Sequence, residues 1–316
     1  MNTKTVNLSL KRIDLTNRDF HILCFDSLDS LSASIVEIGL LNPPVVKQTA
    51  ADNFVPVLGR RRLEVLTQLK TENVEVRVIG FSRPDDQTFL MAFWDNLDRI
   101  KRDVAVKACA VKRLMELIPV EAMAQKVLPF IDVPAQGPKI ERLRRIGCLE
   151  MPVLEALSNG KVNEKCVLIL SRLSLEERLS LLKLISDLAL NSNKAFEVIS
   201  RLFDISICWR EPITGLLARP EVLKILDDSN IALAEKAFEF RKLLQRWAFP
   251  DLVHYQQNFQ NWTQELDLPK EVILRPAQSF EDDSITAEIR LSSRARTGIL
   301  LDLIRPFLLE DQKGKQ

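Results

Sequence analysis

The sequence predicts three parts: an α+β domain over residues 1–102, an all-α domain over residues 103–248, and a small α+β unit over residues 249–316. Three observations lead to this fold class. Strand and helix signals alternate in the first part, helical periodicity fills the second, and a strictly alternating strand pattern returns in the third. With 316 residues, of which 46% are hydrophobic, each part can bury a core of its own.

The N-terminal domain gives a series of element signals in chain order. Apolar spacing predicts a helix over residues 28–38 that ends at Gly39, since glycine commonly terminates helices. Pro43 and Pro44 then impose extended backbone ahead of a short strand around residues 45–46. The remaining signals are a strand over residues 54–58 that Pro56 makes an edge strand or an irregular one, a helix over residues 63–69, a half-buried strand over residues 74–78 and a helix over residues 87–99.

The middle part predicts one helix after another, interrupted most clearly by a proline-containing loop over residues 132–138. Ser174 and Glu177 are predicted to form a capping box, Asn193 to cap a further helix, and Pro220 to open a short one. The last part predicts short strands over residues 272–274 and 285–291 and an amphipathic helix over residues 299–307.

Composition narrows the class of protein. The formal net charge of +1 excludes a strongly basic nucleic-acid-coating protein, although 44 Lys and Arg residues can still form local basic faces. Two histidines give no support to a histidine-based catalytic centre, and five scattered cysteines without a CxxC pair indicate reduced, mostly buried thiols. With no membrane-length apolar stretch and no signal-peptide pattern, we expect a soluble cytoplasmic protein.

The run Gly59, Arg60, Arg61, Arg62 lies between a predicted strand and a predicted helix. Backbone N–H groups at a helix start, with guanidinium groups beside them, form a natural anion site. Three arginines there also oppose the helix dipole, and a bound polyanion would resolve that conflict. The alternative is a solvated first helical turn whose arginines face water.

A second polar pattern, Asp95, Asn96 and Arg99, follows at another helix end. Carboxylate and amide oxygens are the ligands that Mg²⁺ prefers, so Asp95 and Asn96 are candidate metal ligands. The alternative is an ordinary solvated helix terminus, with Arg99 in a structural ion pair.

The order and spacing of these patterns resemble the ParB/Spo0J partition-protein family, whose N-terminal domain has the ParB/sulfiredoxin-like α+β fold. The resemblance covers roughly residues 13–185 and is most specific in the first hundred. The three family boxes match Ser34, Ile35, Gly39 and Pro43, then Gly59, Arg61 and Arg62, then Asp95, Asn96 and Arg99.

The resemblance implies CTP binding with Mg²⁺, in a homodimer that closes around DNA, with a ParA-type ATPase as a possible partner and the nucleoid as location. Gly59, Arg61 and Arg62 would hold the triphosphate. Asn96 with Asp95 would serve the metal. The implied nucleotide-binding set as a whole is Gly39, Asn42, Gly59, Arg60, Arg61, Arg62, Asp95, Asn96 and Arg99.

The chain also departs from the family pattern. Arg60 stands where a glutamate is usual, Glu64 where an arginine is usual, and Asn42 where a glutamine linked to hydrolysis is usual; Asp95 and Asp98 replace a glutamate and a glutamine. Shortening a side chain by one methylene displaces its polar group by about 1 Å, enough to weaken positioned chemistry. We therefore expect a binder with weak CTPase activity.

A degenerate helix-turn-helix is predicted over residues 120–149, with prolines at 129, 134 and 138 disturbing its turn. The following helix carries a basic face suited to contacts with DNA phosphates, formed by Lys139, Arg142, Arg144 and Arg145. The alternative is an ordinary solvated helix.

Two other functions remain open. The same fold is similar to that of sulfiredoxins, some small-molecule kinases and proteins called nucleases. A sulfiredoxin-like enzyme needs a reactive cysteine where Gly59 and its neighbours lie, and a nuclease needs more carboxylates than Asp95 and Asp98. The other alternative is a nucleotide-free interaction or transcription-regulatory protein that keeps the boxes only as scaffold.

Overall fold

The computed structural model of the chain describes residues 4–134, 138–266, 268, 272–277 and 284–289. It divides into two compact units, Met1–Glu239 and Phe240–Gln316. No helix among the described residues is long and apolar enough to cross a membrane.

The first unit begins with a four-stranded mixed sheet in the order β1-β4-β2-β3. Its strands are β1 (Lys4–Ser9), β2 (Val45–Gln48), β3 (Phe54–Leu58) and β4 (Asn73–Ile79). β4 pairs antiparallel with β1 and parallel with β2, and β2 pairs antiparallel with β3. The sheet confirms the edge position that Pro56 predicts for β3, because proline cannot donate to a ladder. β1 is absent from the prediction, since its sequence KTVNLS is mostly polar.

Four helices complete the N-terminal domain: α1 (Asp29–Ile38), α2 (Arg60–Gln68), α3 (Asp85–Asp95) and α4 (Leu97–Arg102). Its core joins the sheet to α1 and α2 through fully buried residues such as Val46, Leu63 and Val76. The prediction of one helix over residues 87–99 is wrong. The chain breaks at Asn96 (φ −110°, ψ 16°), whose side-chain Nδ2 donates to the carbonyl oxygen of Ala92 at 2.9 Å and so favours a helix end.

The helical part of the chain confirms the predicted all-α character. Its helices are α5 (Val104–Leu117), α6 (Val120–Lys126), α7 (Pro138–Gly147), α8 (Met151–Ser158), α9 (Glu164–Leu170), α10 (Leu175–Asp187), α11 (Ser192–Trp209), α12 (Ile213–Leu217), α13 (Pro220–Leu226) and α14 (Leu233–Ala248). A further helix, α15 (Pro250–Glu265), lies beyond residue 248 and is absent from the prediction. Ser174 and Glu177 form the predicted capping box, and Pro220 opens α13. The predicted cap at Asn193 is wrong: Asn191 caps α11 by accepting from the backbone N–H of Lys194 at 3.0 Å.

The candidate helix-turn-helix has an unusual connection. A 3-10 turn at Leu128–Ile131 lies between α6 and α7, and the linker spans residues 127–137, of which 135–137 lie outside the described residues. A DNA-binding helix-turn-helix has a turn of about three to four residues. α7 buries Ile140, Leu143 and Ile146, and its strongest packing partner is α5.

In the second unit, β5 (Val272–Pro276) and β6 (Ile285–Ile289) form an antiparallel pair. These strands match the two predicted strand signals within the described residues. The predicted helix over residues 299–307 lies outside those residues. The expectation of mostly buried cysteines is wrong, since Cys148 and Cys208 are exposed and, of the five, Cys166 alone is buried.

Candidate functional site

A polar cleft of about 460 Å³ opens where the α3–α4 junction meets the segment before α1, the start of α5 and the end of α8. The charged and amide groups on its wall include Asp95, Asn96, Asp98, Arg99, Arg102 and Asp103. The break between α3 and α4 therefore turns the third box towards a concave surface. A cleft with both cationic and anionic walls suits a ligand that carries phosphates together with a metal ion.

Asn96 is held at both ends of its amide. Its Nδ2 donates to Ala92, and its Oδ1 accepts from Nη1 of Arg99 at 2.9 Å, so Arg99 is oriented by its own box. The carboxylate of Asp95 is exposed at the same cleft. Arg102 donates to the backbone carbonyl of Asp98 at 3.1 Å. Asp95 is therefore a more accessible oxygen ligand than Asn96, whose oxygen is shared with a cation.

Gly59 fits its position for two reasons. Its φ of +77° lies in the left-handed region, which glycine adopts at little cost. A Cβ added there would lie 3.3 Å from Cα of Pro44 and 3.1 Å from Nη1 of Arg62. Gly59, at the turn into α2, therefore packs directly against Pro44, the residue after Pro43 of the first box.

The three arginines of the second box donate to backbone carbonyl groups of three separate segments. Arg60 donates to Leu15 and, at 2.7 Å, to Asn17. Arg61 donates to the carbonyl of Ser27 and, at 3.3 Å, to that of Asp26. Arg62 donates to the carbonyl of Asn42 at 3.2 Å. Since a guanidinium has five N–H donors, these contacts leave donor capacity for a ligand.

Arg60 and Arg61 differ in how far their side chains are exposed to solvent. The Arg60 side chain is 10% exposed and pairs with Glu64 at 2.9 Å, whereas the Arg61 side chain is 24% exposed. Positions 60 and 64 are both departures from the family pattern, and here they form an i,i+4 ion pair with reversed polarity. Arg60 thus fixes the segment at residues 15–17, while Arg61 remains reachable from solvent.

The second box connects the first box with the segment over residues 14–28, which it contacts through Arg60 and Arg61. Asn42 and Pro44 contact the second box, and Asp26, on the cleft wall, places a carboxylate oxygen 3.9 Å from Nη1 of Arg61. Gly39 ends α1 with φ of +75° and is exposed. The third box and Asp26 line the same cleft, so Arg61, through its contact with Asp26, lies next to the cleft that Arg99 lines.

His21 lies within that segment and was not among the predicted site residues. Burial, followed by the positive charges of Arg60, Arg18 and Arg99, lowers the pKa of His21 to about 4. The imidazole is therefore neutral near pH 7 and adds no charge to the arginine cluster. Its Nδ1 is buried and lacks a hydrogen-bond partner among the described residues.

Two further residues that line the cleft, Asp103 and Ser158, were also not predicted from the sequence. Asp103 caps α5 by accepting from the backbone N–H groups of Ala105 and Val106, and Ser158 at the end of α8 donates to it. An aspartate directly before an apolar helical run is a recognisable capping signal, so Asp103 could have been found. Ser158 could not, because its contact spans 55 residues of sequence.

The predicted basic face on α7 is partly neutralised by acidic side chains. Glu141 pairs with Arg144 at 2.7 Å and with Arg145 at 3.4 Å, and Arg142 lies 2.7 Å from Glu164. The hydrogen bond from Arg144 is the largest cause that lowers the pKa of Glu141 to about 2. Lys139 donates to the backbone carbonyl of Asp132 at 2.7 Å. All four predicted basic residues lie on α7, but Glu141 and Glu164 offset part of the positive charge of this face.

The site contains no ready-made metal cluster. Across the residues that the structure describes, no group of three or more His, Cys, Asp and Glu side chains is arranged to hold a metal ion. A metal at Asp95 would therefore need oxygen ligands from the bound molecule or from water.

Comparison with known proteins places the first box, the second box and the start of the third in one family domain. Residues 2–97 match the family described as the ParB N-terminal domain. The nucleoid occlusion protein of Listeria monocytogenes serotype 4a (strain HCC23) is 24% identical over 210 residues, covering 66% of this chain and 69% of that protein. The nucleoid occlusion protein of Bacillus cereus (strain B4264) is 29% identical over 182 residues, covering 56% of this chain and 59% of its own length.

Similar solved structures come from the same family. C-terminally truncated ParB from Caulobacter crescentus complexed with CTP-gamma-S has 20% identity and a TM-score of 0.25, covering 58% of this chain and 98% of that one. The same protein complexed to the centromeric parS site has 18% identity and a TM-score of 0.30, covering 62% and 99%. A Pnob8-like ParB N-domain has 16% identity and a TM-score of 0.36, covering 78% and 98%.

Proposed function

We propose that this ParB-like chain, whose residues 2–97 belong to the ParB N-terminal domain family, is a DNA-associated protein that binds CTP with Mg²⁺. The observation that carries the proposal is that Arg61 of the second box pairs with Asp26, which lines the same polar cleft as Asp95, Asn96 and Arg99 of the third box. Its role is DNA partition or nucleoid occlusion. A plasmid or mobile-element setting, a homodimer and a ParA-type ATPase partner follow from the resemblance and stay predictions.

The chemistry of the second box supports phosphate binding. Arg61 and Arg62 each use part of their donor capacity on a backbone carbonyl, and a phosphate oxygen is a stronger acceptor because it is charged. Arg60 is assigned a supporting role instead, since its guanidinium is buried against the segment at residues 15–17. Gly59 allows the turn to approach a ligand closely.

The third box supplies few oxygen ligands for Mg²⁺. Mg²⁺ in phosphate sites is commonly held by one or two carboxylates together with substrate phosphates and water. Asp95 offers one exposed carboxylate, and Asn96 offers an oxygen that already accepts from Arg99. Asp95 would hold the ion, which would neutralise part of the phosphate charge, and Asn96 would orient Arg99 towards the same phosphates.

Replacing Arg62 with alanine is expected to weaken CTP binding about 10- to 100-fold, because charge-assisted hydrogen bonds contribute about 1.5–3 kcal/mol each. Isothermal titration with CTP, ATP and GTP in the presence of Mg²⁺ measures the effect. Arg62→Lys should bind with intermediate affinity, since it keeps the charge but not the bidentate geometry.

Arg77→Ala is the matched control, because Arg77 is an exposed arginine on β4 in the same domain. It should leave the CTP affinity of the chain unchanged. Equal affinities in wild type and Arg62→Ala would contradict the assignment of Arg62, and a failure of the wild type to bind any of the three nucleotides would overturn the nucleotide-binding function.

For DNA, α7 is the proposed contact surface. Its buried residues Ile140, Leu143 and Ile146 leave the four basic side chains on the outer part of the helix. Phosphate contacts of this kind position a protein without specifying sequence. Glu141 is the natural restraint on this face, because one carboxylate engages both Arg144 and Arg145.

Replacing Glu141 with glutamine should therefore strengthen DNA binding, with about a 3- to 10-fold gain at low salt, because two guanidinium groups become available to phosphates. The slope of the logarithm of affinity against the logarithm of salt concentration should also become more negative, by about 0.9 for each added phosphate contact. Fluorescence anisotropy with a DNA duplex over a salt series measures both quantities. Glu75→Gln on β4 makes the same charge change elsewhere, so an equal response in the two variants would exclude α7 as the contact surface.

A further inference from the structure

Arg61 already holds an internal anion-like group. Its Nη2 donates to the carbonyl oxygens of Asp26 and Ser27, and its Nη1 lies 3.9 Å from the carboxylate of Asp26. Two carbonyl dipoles and a carboxylate thus surround one guanidinium, as the oxygens of a phosphate group would. The contact joins α2 to the segment that leads into α1.

The partner of Arg61 is itself weakly held. The Asp26 side chain is 75% exposed, so its ion pair with Arg61 is largely screened by solvent. Its other described side-chain contact is the thiol of Cys24, which donates to Oδ2 at 3.1 Å. By contrast, Arg60 is 10% exposed and is tied to Glu64 as well as to two carbonyl groups. Of the two, Arg61 is the guanidinium that an incoming anion can draw away.

The location of Asp26 makes this exchange relevant to the cleft. Asp26 and Cys24 line the cleft together with Asp95 and Arg99. A polyphosphate placed there would approach the Asp26 carboxylate as a like charge and the Arg61 guanidinium as an opposite charge. Both effects act in the same direction, because they separate Asp26 from Arg61.

We infer that Asp26 and Ser27 act as an internal substitute for a polyphosphate, so that ligand binding to Arg61 releases the segment over residues 24–28. This regulation rests on the proposed function, because it concerns the same site. Asp26 lowers the affinity of the site by competing for Arg61. Ligand binding therefore loosens the segment that leads into α1. Most ligands, by contrast, make their binding site more rigid.

The test combines an affinity measurement with hydrogen exchange. CTP with Mg²⁺ and inorganic tripolyphosphate are titrated into wild type, Asp26→Asn and Asp52→Asn. Asp52 is the matched control, because it is an exposed aspartate paired with a different arginine, Arg12. Asp26→Asn should bind both ligands about threefold more tightly, in line with the modest strength of an exposed pair. In wild type, amides of residues 24–28 should exchange faster when ligand is bound.

The two ligands distinguish the possible failures. If CTP binds but Asp26→Asn behaves like Asp52→Asn, or if residues 24–28 exchange more slowly with ligand, the internal substitute is excluded while CTP binding stands. If CTP does not bind but tripolyphosphate binds more tightly to Asp26→Asn and speeds the amide exchange of residues 24–28, the internal substitute is supported and the assignment of CTP as ligand is wrong. If neither ligand binds to any of the three proteins, both are overturned.

Discussion

Replacing Gly147 with valine is expected to lower the free energy of unfolding by about 3 kcal/mol or more, since overpacking a tight helix contact typically costs about 1–3 kcal/mol and a β-branched side chain adds to it. A Cβ at this position would lie 2.6 Å from the carbonyl oxygen of Ala108 and 3.1 Å from Cβ of Lys112. The first of these is backbone, so α5 and α7 must move apart. Urea denaturation followed by circular dichroism measures the loss.

The chain provides a matched control in Gly80. A Cβ added to Gly80 meets nothing within 4 Å, and its backbone is not in the left-handed region. Gly80→Ala should therefore change stability by less than about 0.5 kcal/mol. Similar unfolding midpoints for Gly147→Val and wild type would show that α5 and α7 do not pack as closely as described.

Replacing Arg60 with glutamate, the residue usual in the family at this position, is expected to destabilise this chain by about 3–5 kcal/mol. The substitution removes the donors to the carbonyl groups of Leu15 and Asn17 and puts a carboxylate in their place. It also sets two carboxylates at i and i+4, since Glu64 remains. The same urea denaturation measures this effect.

A double-mutant cycle separates the two causes. Arg60→Glu with Glu64→Arg restores an ion pair with the polarity usual in the family, and it should recover about 1 kcal/mol of the loss. The rest should remain, because the arginine at position 64 begins one helical turn away from the carbonyl groups at residues 15–17. Full recovery would mean that the ion pair, and not the bonds to the segment, sets the stability.

The fold of the first hundred residues was largely predictable, because its signals are local. Gly39 ends α1 and Pro56 places β3 at the edge, both through backbone chemistry that each residue carries by itself. β1 was not predictable, since Val6 and Leu8 are its only apolar residues and its pairing is supplied by β4. The break at Asn96 was missed for a similar reason, because it depends on a side-chain bond to Ala92.

The sequence predicts candidate residues for the site but not the contacts that these residues make. The order of the boxes predicts a role for Arg60, Arg61 and Arg62, yet nothing in their spacing says that each guanidinium is directed to a different segment. Those directions depend on the path of residues 14–28, an irregular stretch before α1 without side-chain periodicity. The involvement of His21, Asp26 and Ser158 depends on that path and on contacts distant in sequence.

The close contact at Gly147 also links the two proposed binding surfaces through a single helix. Asp103, on the cleft wall, caps the start of α5, and Ala108, five residues further on, touches Gly147 at the end of α7. At a rise of about 1.5 Å per residue, these points are separated by about 7.5 Å of stiff helix. If a ligand in the cleft displaces α5, this contact requires α7 to move with it. By thermodynamic reciprocity, a DNA that prefers that position of α7 would then change the affinity of the cleft by the same factor as the cleft ligand changes that of DNA.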